Sequence, residues 1–441
     1  MLVLAAVSTV LIILLLGLLL TNQDLSESEQ TLVSESGQAP ISQDLSVFVS
    51  VQDGMFMQGN ELFRFSGTNA YYLPNYQKDG IGTGGFVNTT LDEFAQANIS
   101  VIRMWAFYDG YDCGYSRIDE NENVIQTSPG VYDEQALRDL DAVIASGKER
   151  GIRFILPFIN YWDELGGICQ YNMWAGLEYE EASTNMGFFL ENSQTQQWYK
   201  DYIYMLMNRE NTVTGVAYKD EPAIMSWQVM NEARNTGENP QILADWYQEI
   251  AQYIKSISDN QLISTGEEGF DDASMGSWDL GGDFTHPNYS SDSYSNTYVL
   301  RAGEGTSYVL NSQIPEIDFA WAHWYPADYG FYDDGTINEN LLRAQHAWLS
   351  DHNKIAQELN KPFVLGEYGY PGWGDVRVEQ AYTDLWEYNQ ANNIDGDLLW
   401  QYVIDTEKCY EFGGNICWPE ARADNILAQA FHQHIQAMMQ Q

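Results

Sequence analysis

The chain has 441 residues, of which 44% are hydrophobic and 14% aromatic; this is enough for one large folded domain or two ordinary ones and excludes disorder throughout. Lys and Arg number 20 against 63 Asp and Glu, and the formal net charge of -43 repels phosphate backbones and anionic lipid alike. We therefore expect no nucleic-acid partner, whereas a neutral ligand is compatible with this charge.

The N-terminal region is hydrophobic up to residue 22. Residues 2–20 carry no charge and are long enough to cross a bilayer as a helix. The basic start, short apolar core and small-residue cleavage site of a signal peptide are not clear, which favours an uncleaved membrane anchor over a cleaved signal. Residues 23–45 are rich in Ser, Gln and Glu and predict a flexible linker. These patterns predict an extracellular protein, secreted or anchored, whose folded domain occupies residues 46–441.

Four cysteines agree with an oxidising compartment. Cys409 and Cys417 are close enough in sequence to close a local loop, which leaves Cys113 and Cys169 as the other candidate disulfide. Free buried thiols are the alternative. Because no CxxC or HxxxH spacing gathers soft ligands, we expect no metal site.

From residue 46 onward, short apolar runs alternate with stretches of helical periodicity such as TLDEFAQAN and LLRAQHAWLSDHNKIAQELN, a pattern typical of βαβ units and a parallel sheet. The eight apolar runs are 62–70, 99–107, 152–160, 223–232, 262–270, 317–325, 362–370 and 395–403. Eight strands with intervening helices predict an α/β fold, a (β/α)8 TIM barrel that forms a single domain with long βα loops.

Polar and aromatic residues stand at the C-terminal ends of these predicted strands, the end at which barrels of this kind carry their active sites. In strand order, from the second to the eighth, they are Arg103 and Trp105, Asn160 and Trp162, Asn231 and Glu232, Glu267 and Glu268, His323 and Tyr325, Glu367, and Trp400. Each alone could be a satisfied polar group at a strand end. Their joint occurrence on seven strands predicts one site.

Two of the carboxylates are candidates for chemistry. Glu232 and Glu367 end strands four and seven, which face each other across the barrel, so the two carboxyl groups can flank a bound sugar chain. Glycoside cleavage needs one protonated and one ionised carboxyl group. A distance of about 5 to 5.5 Å between the two carboxyl groups corresponds to a retaining, two-step reaction. Glu267 and Glu268 stand beside the first carboxylate rather than opposite it, so we expect them to support it or to bind sugar.

The other residues of the site suit supporting roles. Arg103 is expected to hold the second carboxylate charged, because a neighbouring cation lowers the pKa of a carboxyl group. His323 and Tyr325 lie two apart on one strand and point to the same side, where they can order both carboxylates. Asn231 suits a sugar 2-hydroxyl, and Trp400 offers a flat apolar face to a pyranose ring.

Several long motifs resemble the endo-β-1,4-mannanases of glycoside hydrolase family 5, among them TGVAYKDEPAIMSWQVMNEAR, STGEEGF, IPEIDFAWAHWYP and KPFVLGEYG. The similarity runs from about residue 50 to 403. It implies that Glu232 is the acid/base and Glu367 the nucleophile. It also implies a place under the sugar at the cleavage point for Trp400 and a more distant glycone site for Trp162.

The resemblance implies retaining hydrolysis of internal β-1,4-mannosidic bonds in mannan, glucomannan or galactomannan. We expect a monomer without a metal or organic cofactor. Two rival functions stay open: a β-1,4-glucanase or exo-mannosidase on the same barrel, and a non-catalytic surface carbohydrate-binding protein. Ala233 replaces the usual proline of Asn-Glu-Pro-Arg, and Tyr161 stands where Asn is frequent. The long polar segment 271–310 could narrow the cleft and favour trimming of chain ends.

Overall fold

The computed structural model describes residues 44–74, 85–113, 123–271, 303–329, 339–370, 376–403 and 426–440. The hydrophobic N-terminal region, nearly all of the predicted linker, the Cys409 and Cys417 pair and most of the segment 271–310 lie outside the described residues. Within the described ranges, no helix has both the length and the apolar character that a membrane span requires. The division of the chain into anchor, linker and domain therefore stays a prediction.

The strands occur in chain order as β1 (Val49–Gln52), β2 (Met55–Gln58), β3 (Glu61–Leu62), β4 (Phe65–Asn69), β5 (Val101–Arg103), β6 (Gln126–Ser128), β7 (Val131–Tyr132), β8 (Arg153–Pro157), β9 (Ile224–Gln228), β10 (Leu262–Ser264), β11 (Ala320–Trp324), β12 (Phe363–Tyr368) and β13 (Gly396–Leu399). Eight of them form one parallel sheet in the order β10-β9-β8-β5-β4-β13-β12-β11. Each of these eight lies inside one of the predicted apolar runs, which confirms the (β/α)8 barrel.

The helices are α1 (Phe86–Gln96), α2 (Glu134–Glu149), α3 (Gly167–Trp174), α4 (Tyr179–Ala182), α5 (Met186–Glu191), α6 (Ser193–Asn208), α7 (Pro240–Ile257), α8 (Tyr308–Gln313), α9 (Glu339–Glu358), α10 (Val376–Ala391) and α11 (Ile426–Met439). In α2 the Asp133 carboxylate accepts hydrogen bonds from two backbone N–H groups of the first turn, at 2.8 and 2.9 Å, which fixes where the helix begins. Its buried face carries Leu137, Leu140 and Ile144, the spacing of an amphipathic helix on a sheet.

All residues of the eight barrel strands are buried. Side chains fill the inside of the barrel and helices cover its outside, so both faces of each strand exclude water, and for this reason the strands read as nearly continuous apolar runs. Close approach of β4 and β5 requires a glycine, because a Cβ on Gly67 would lie 2.0 Å from the carbonyl oxygen of Val101.

Isolated hydrogen bonds, rather than a continuous strand pairing, connect β10 and β11, the first and last strands of the sheet. The backbone N–H of Asp318 donates to the carbonyl of Ile263 at 2.8 Å, and the Asp318 carboxylate accepts from the N–H of Ile263 at 2.7 Å. Nearer the barrel mouth, the N–H of His323 donates to the carbonyl of Glu268 at 3.0 Å. This last bond ties the end of β10 to β11 beside the candidate site.

The face of the barrel opposite the mouth is closed by the start of the folded region. Arg153 is fully buried there and donates to the carbonyl oxygens of Pro222 at 2.6 Å and of Asp44 and Val47 at 3.1 Å each. Leu45 is 8% exposed and belongs to the main core. The last two residues of the predicted linker therefore already pack against the barrel.

One predicted disulfide is confirmed. Cys113 and Cys169 are bonded, with their Cα atoms 6.0 Å apart. The bond joins the segment that follows β5 to helix α3, and the side chain of Gln170 adds a second link by accepting a hydrogen bond from the N–H of Asp112 at 2.9 Å. Two loops on the mouth side of the barrel are thus fastened to each other.

Candidate active site

The exit of β9 carries Asn231 and Glu232. The backbone N–H of Asn231 donates to the carbonyl of Ile159 at 2.9 Å, and that of Glu232 donates to the carbonyl of Gly266 at 2.8 Å. Glu232 has a φ of 50°, a left-handed conformation that residues other than glycine rarely adopt. Hydrogen bonds to both neighbouring strands thus hold a strained turn, and with it the start of the Glu232 side chain, in one position.

Glu367 lies in β12, and two side chains donate hydrogen bonds to its carboxylate. The Arg103 guanidinium donates to Oε1 at 2.5 Å, and the Tyr325 hydroxyl donates to Oε2 at 2.7 Å. Arg103 is fully buried and also donates to the side-chain oxygens of Asn69, Gln228 and Asn231. Burial raises the pKa of Glu367, and the fixed cation beside it acts against that rise.

Asn231 is held by its neighbours on both sides of its amide. Its Oδ1 accepts from Arg103 at 2.7 Å, and its Nδ2 donates to Oδ1 of Asn160 at 2.9 Å. The Asn160 amide in turn donates to the carbonyl of Glu164 at 3.2 Å. The predicted residues Asn160, Asn231 and Arg103 thus form one chain of hydrogen bonds across three strand ends, which fixes the orientation of the Asn231 amide.

His323 contacts Glu232 through a ring nitrogen whose proton can be assigned. The indole N–H of Trp321 lies 2.9 Å from Nε2 of His323, and because an indole only donates, Nε2 must accept. The ring proton is therefore on Nδ1, which donates to Oε1 of Glu232 at 2.6 Å. Burial lowers the pKa of His323 to about 3, so the ring is neutral at ordinary pH.

Glu232 and Glu367 face each other across the barrel mouth. A carboxylate oxygen of each lies within 4.8 Å of the other, as expected for the short separation of retaining glycosidases. Burial raises the pKa of Glu232 as well. The two carboxyl groups nevertheless have different partners, since Glu367 contacts the Arg103 guanidinium and Glu232 contacts a neutral imidazole.

Glu232, His323 and Glu367 have the atom types and the spacing of a metal-binding group. One ligand atom each from Glu232, His323 and Glu367 lies within 4.8 Å of the other two. However, Nε2 and Nδ1 of His323 are both engaged in hydrogen bonds, and the Arg103 cation beside Glu367 repels another cation. This donor set suits an uncharged sugar better than an ion, and the expectation of no metal stays a prediction.

Aromatic rings form a cluster at the ends of β4, β5 and β13. The rings of Trp400 and Tyr71 are parallel within 6°, with centroids 5.6 Å apart. Trp105 is only 5% exposed; it lies 5.0 Å from Tyr71 and stacks on Phe107 at 5.2 Å. Trp400 is partly exposed, and the Trp105 ring lies 6.3 Å from it within the cluster. Sequence reasoning missed Tyr71, which lies just past the end of β4, the one strand to which no site residue was assigned.

Trp162 contacts one of the two candidate carboxyl groups. Its indole N–H donates to Oε2 of Glu232 at 2.6 Å. The guanidinium of Arg234 lies 4.9 Å from the Trp162 ring centroid and forms a two-pronged hydrogen-bonded ion pair with Glu268, at 2.6 and 2.7 Å. Arg234 was missed from sequence, although it follows the predicted acid by two residues. Glu268 supports the site through this arginine.

Glu267 does not line the cleft. Its side chain is buried, and its two carboxylate oxygens accept hydrogen bonds from the Thr265 hydroxyl at 3.0 Å and from the Asn311 amide at 2.9 Å. Burial raises its pKa to about 8. The sequence predicts that Glu267 supports Glu232 or binds sugar, and the contact of its carboxyl group with helix α8 favours the supporting role.

Comparison with known proteins gives one consistent answer. The sequence matches the GH family 5 beta-mannosidase-like family over residues 46–291. The chain is 31% identical over 375 residues to mannan endo-1,4-beta-mannosidase 1 of Solanum lycopersicum, covering 83% of this chain and 86% of that protein. It is 35% identical over 374 residues to mannan endo-1,4-beta-mannosidase 3 of Arabidopsis thaliana, covering 81% and 82%.

A solved structure agrees with the sequence matches. The endo-beta-1,4-mannanase from Thermotoga petrophila has a TM-score of 0.70 to this chain at 27% identity, covering 86% of this chain and 78% of its own. Family match, relatives and fold point the same way as the opposed carboxyl groups at the barrel mouth. The chain belongs to glycoside hydrolase family 5, in its β-mannosidase-like branch, and is a glycoside hydrolase.

Proposed function

We propose that this enzyme hydrolyses internal β-1,4-mannosidic bonds of mannan, glucomannan or galactomannan with retention of configuration. The observation that carries the proposal is the pair Glu232 and Glu367, with oxygens within 4.8 Å of each other and with different hydrogen-bond partners. The relatives from Solanum lycopersicum and Arabidopsis thaliana, named for endo action on mannan, support the choice of substrate.

In the first step, Glu367 is the nucleophile and Glu232 the acid. The Glu367 carboxylate attacks the anomeric carbon, the glycosidic C–O bond breaks, and the Glu232 proton passes to the departing oxygen. Arg103 and Tyr325 each bind one oxygen of Glu367, so the attacking carboxylate is charged and fixed in orientation before the sugar arrives. The product is a glycosyl ester on Glu367 and a shortened chain with a free hydroxyl.

In the second step, Glu232 acts as the base. Now ionised, it takes a proton from a water molecule, whose oxygen attacks the anomeric carbon and releases Glu367. The neutral His323 ring donates its Nδ1–H to Glu232 and stabilises the charged form without adding a titrating cation. Two inversions at one carbon give net retention.

Substrate contacts are assigned to the residues that surround this pair. Trp400, flanked by Tyr71, stacks under the sugar at the cleavage point, and the Asn231 amide, fixed by Arg103 and Asn160, binds the 2-hydroxyl of that sugar. A neutral polysaccharide suits a protein with a formal net charge of -43, because it adds no charge repulsion.

We also propose that the enzyme acts outside the cell as a monomer, secreted or attached through residues 2–20. The Cys113–Cys169 disulfide and the uncharged apolar stretch support export. Fractionation of producing cells and gel filtration of the purified protein measure both properties. Activity that stays in the cytosol, or elution as a dimer, would contradict this part of the proposal.

The substrate is tested with purified enzyme on mannan, glucomannan and carboxymethylcellulose. Reducing sugar should appear from the two mannose-containing polymers, and mannohexaose should yield a spread of short products because cleavage is internal. Release only from carboxymethylcellulose would identify a glucanase, and mannose or mannobiose alone would identify an exo-acting enzyme. Binding of mannan without cleavage would identify a carbohydrate-binding protein.

A further inference from the structure

Trp162 donates a hydrogen bond to one of the two reacting carboxyl groups. Its indole nitrogen lies 2.6 Å from Oε2 of Glu232, while Nδ1 of His323 lies 2.6 Å from Oε1. An indole nitrogen can only donate, and the Trp321 contact leaves the His323 Nδ1 as a donor too. Both oxygens of Glu232 therefore face donors, an arrangement that fits a carboxylate better than a carboxylic acid.

We infer, on the basis of the proposed function, that Trp162 is a positioning residue whose indole N–H stabilises the charged form of Glu232 after its proton has left. In the first step the proton moves from Glu232 to the glycosidic oxygen, and in the second it returns from water. The indole keeps its own hydrogen throughout. Its role is to set how readily Glu232 releases its proton, in addition to any contact of its ring with sugar.

The surroundings of Trp162 hold its ring in the donating position. The Arg234 guanidinium lies 4.9 Å from the ring centroid and is itself fixed by Glu268. In the loop that follows Trp162, the carboxylate of Asp163 accepts hydrogen bonds from the Tyr179 hydroxyl at 2.7 Å and from the Ser183 hydroxyl at 2.8 Å. Arg234 therefore covers the ring, and Asp163 fastens the residue that follows it, which favours one orientation of the indole.

Other charged or titratable groups also act on Glu232, and the test leaves them in place. They lie at the ends of β5, β9, β11 and β12 and in the loop after β8: Arg103, Glu164, Arg234, His323, Tyr325 and Glu367. Burial raises the pKa of Glu232, whereas the Arg234 charge, the Trp162 hydrogen bond and the Arg103 charge lower it. Removing the indole N–H alone must therefore raise it.

The test replaces the indole by apolar side chains that lack the N–H donor. Trp162→Phe and Trp162→Leu are compared with Trp246→Phe, which loses an equally short indole bond, 2.7 Å to Gln196, on the outer helices. Thermal unfolding first establishes which Trp162 variants fold, and either one suffices. The pH dependence of kcat/KM is then measured on mannohexaose and on 2,4-dinitrophenyl β-mannobioside, whose leaving group departs without a proton.

With mannohexaose, the alkaline limb of a Trp162 variant should move upward by about one pH unit, while that of Trp246→Phe stays at the wild-type position. With the dinitrophenyl substrate the shift should disappear, because Glu232 need not be protonated. An unchanged alkaline limb with a higher KM would overturn the inference and leave Trp162 as a sugar platform only. An equal shift on both substrates would overturn it too. If the proposed function itself were wrong, the wild-type enzyme would not cleave mannohexaose, so that result can be told apart from a wrong role for Trp162.

Discussion

Replacement of Arg103 by methionine removes the cation beside Glu367 while keeping most of the side-chain volume. The guanidinium is fully buried, donates to Glu367 at 2.5 Å, and is also bound by Asn69, Gln228 and Asn231. Loss of one partner of a buried ion pair costs about 3 to 5 kcal/mol of the free energy of unfolding. A neighbouring opposite charge lowers a carboxyl pKa by about 1 to 3 units, so its loss should raise the pKa of Glu367 by a similar amount.

The expected result is a displaced acid limb. Because attack requires ionised Glu367, a raised pKa moves the acid limb of kcat/KM on mannohexaose to higher pH by about 1 to 3 units. Urea unfolding measures the stability loss separately. Arg153→Met is the matched control, since Arg153 is also buried but its side chain donates its hydrogen bonds to backbone carbonyls at the far end of the barrel, away from Glu367. It should lose stability and keep the wild-type acid limb. If Arg103→Met also kept that limb, the cation would not be what keeps Glu367 charged.

Three further substitutions probe the fold and the site. Trp321→Phe frees Nε2 of His323 to carry the ring proton, so we expect kcat on mannohexaose to fall about tenfold with KM little changed. An unchanged kcat would refute the tautomer assignment. Cys113→Ser removes the disulfide between two mouth loops and should lower the free energy of unfolding by about 2 to 4 kcal/mol, measured by urea titration without reductant. Equal stability with and without the disulfide would show that the fold does not need it. Burial raises the pKa of Asp397, but hydrogen bonds from His434, at 2.7 Å, and from other groups bring this pKa below its usual value. The Asp397 carboxylate therefore stabilises the fold above about pH 4, and its contribution to stability is lost as pH falls through the lowered pKa. Asp397→Asn should therefore remove part of the stability at pH 7 and leave the variant less sensitive to acid than the wild type; unchanged unfolding curves at pH 7 and at acid pH would contradict this.

The barrel and most of its site could be predicted from sequence because one physical constraint controls both. A barrel strand is buried on both faces, so it reads as a mostly apolar run, and the polar residues at its C-terminal end lie at the barrel mouth. Asn231 and Glu232 after β9, and Glu367 in β12, obey this rule. Parallel strands place their ends together, which is why residues 135 positions apart in the chain (367 − 232) could be assigned to one site.

Residues inside the barrel escaped prediction although they left a signal. Asn69 and Gln228 are polar side chains within apolar runs, and both are fully buried. A buried amide must find a partner, and here both amides accept from Arg103. A polar residue within a predicted barrel strand is therefore an indication of inward hydrogen bonds, whereas the identity of the partner depends on how the strands are arranged around the barrel.

Loop contacts could not be predicted in the same way. The pairing of Arg234 with Glu268 joins two residues that follow different strands, and the contact of Trp162 with Glu232 depends on where a long turn after β8 places one ring. Neither apolar periodicity nor strand order carries that information. For the same reason the sequence does not distinguish the adjacent Glu267 and Glu268, although the carboxyl group of Glu267 contacts helix α8 and that of Glu268 pairs with Arg234.

Glu232 and Glu367 need opposite protonation states at the start of the reaction, although both are largely buried. Burial raises the pKa of both, so burial alone cannot decide which one is the acid. The difference lies in the charge of what touches them: Glu367 contacts the guanidinium of Arg103, a cation at every ordinary pH, whereas Glu232 contacts the neutral His323 and the indole of Trp162. A cation keeps a carboxylate ionised, while uncharged donors let a carboxyl group change state twice in each turnover. On this reasoning the proposed roles, Glu367 as nucleophile and Glu232 as acid, rest on the Arg103 contact.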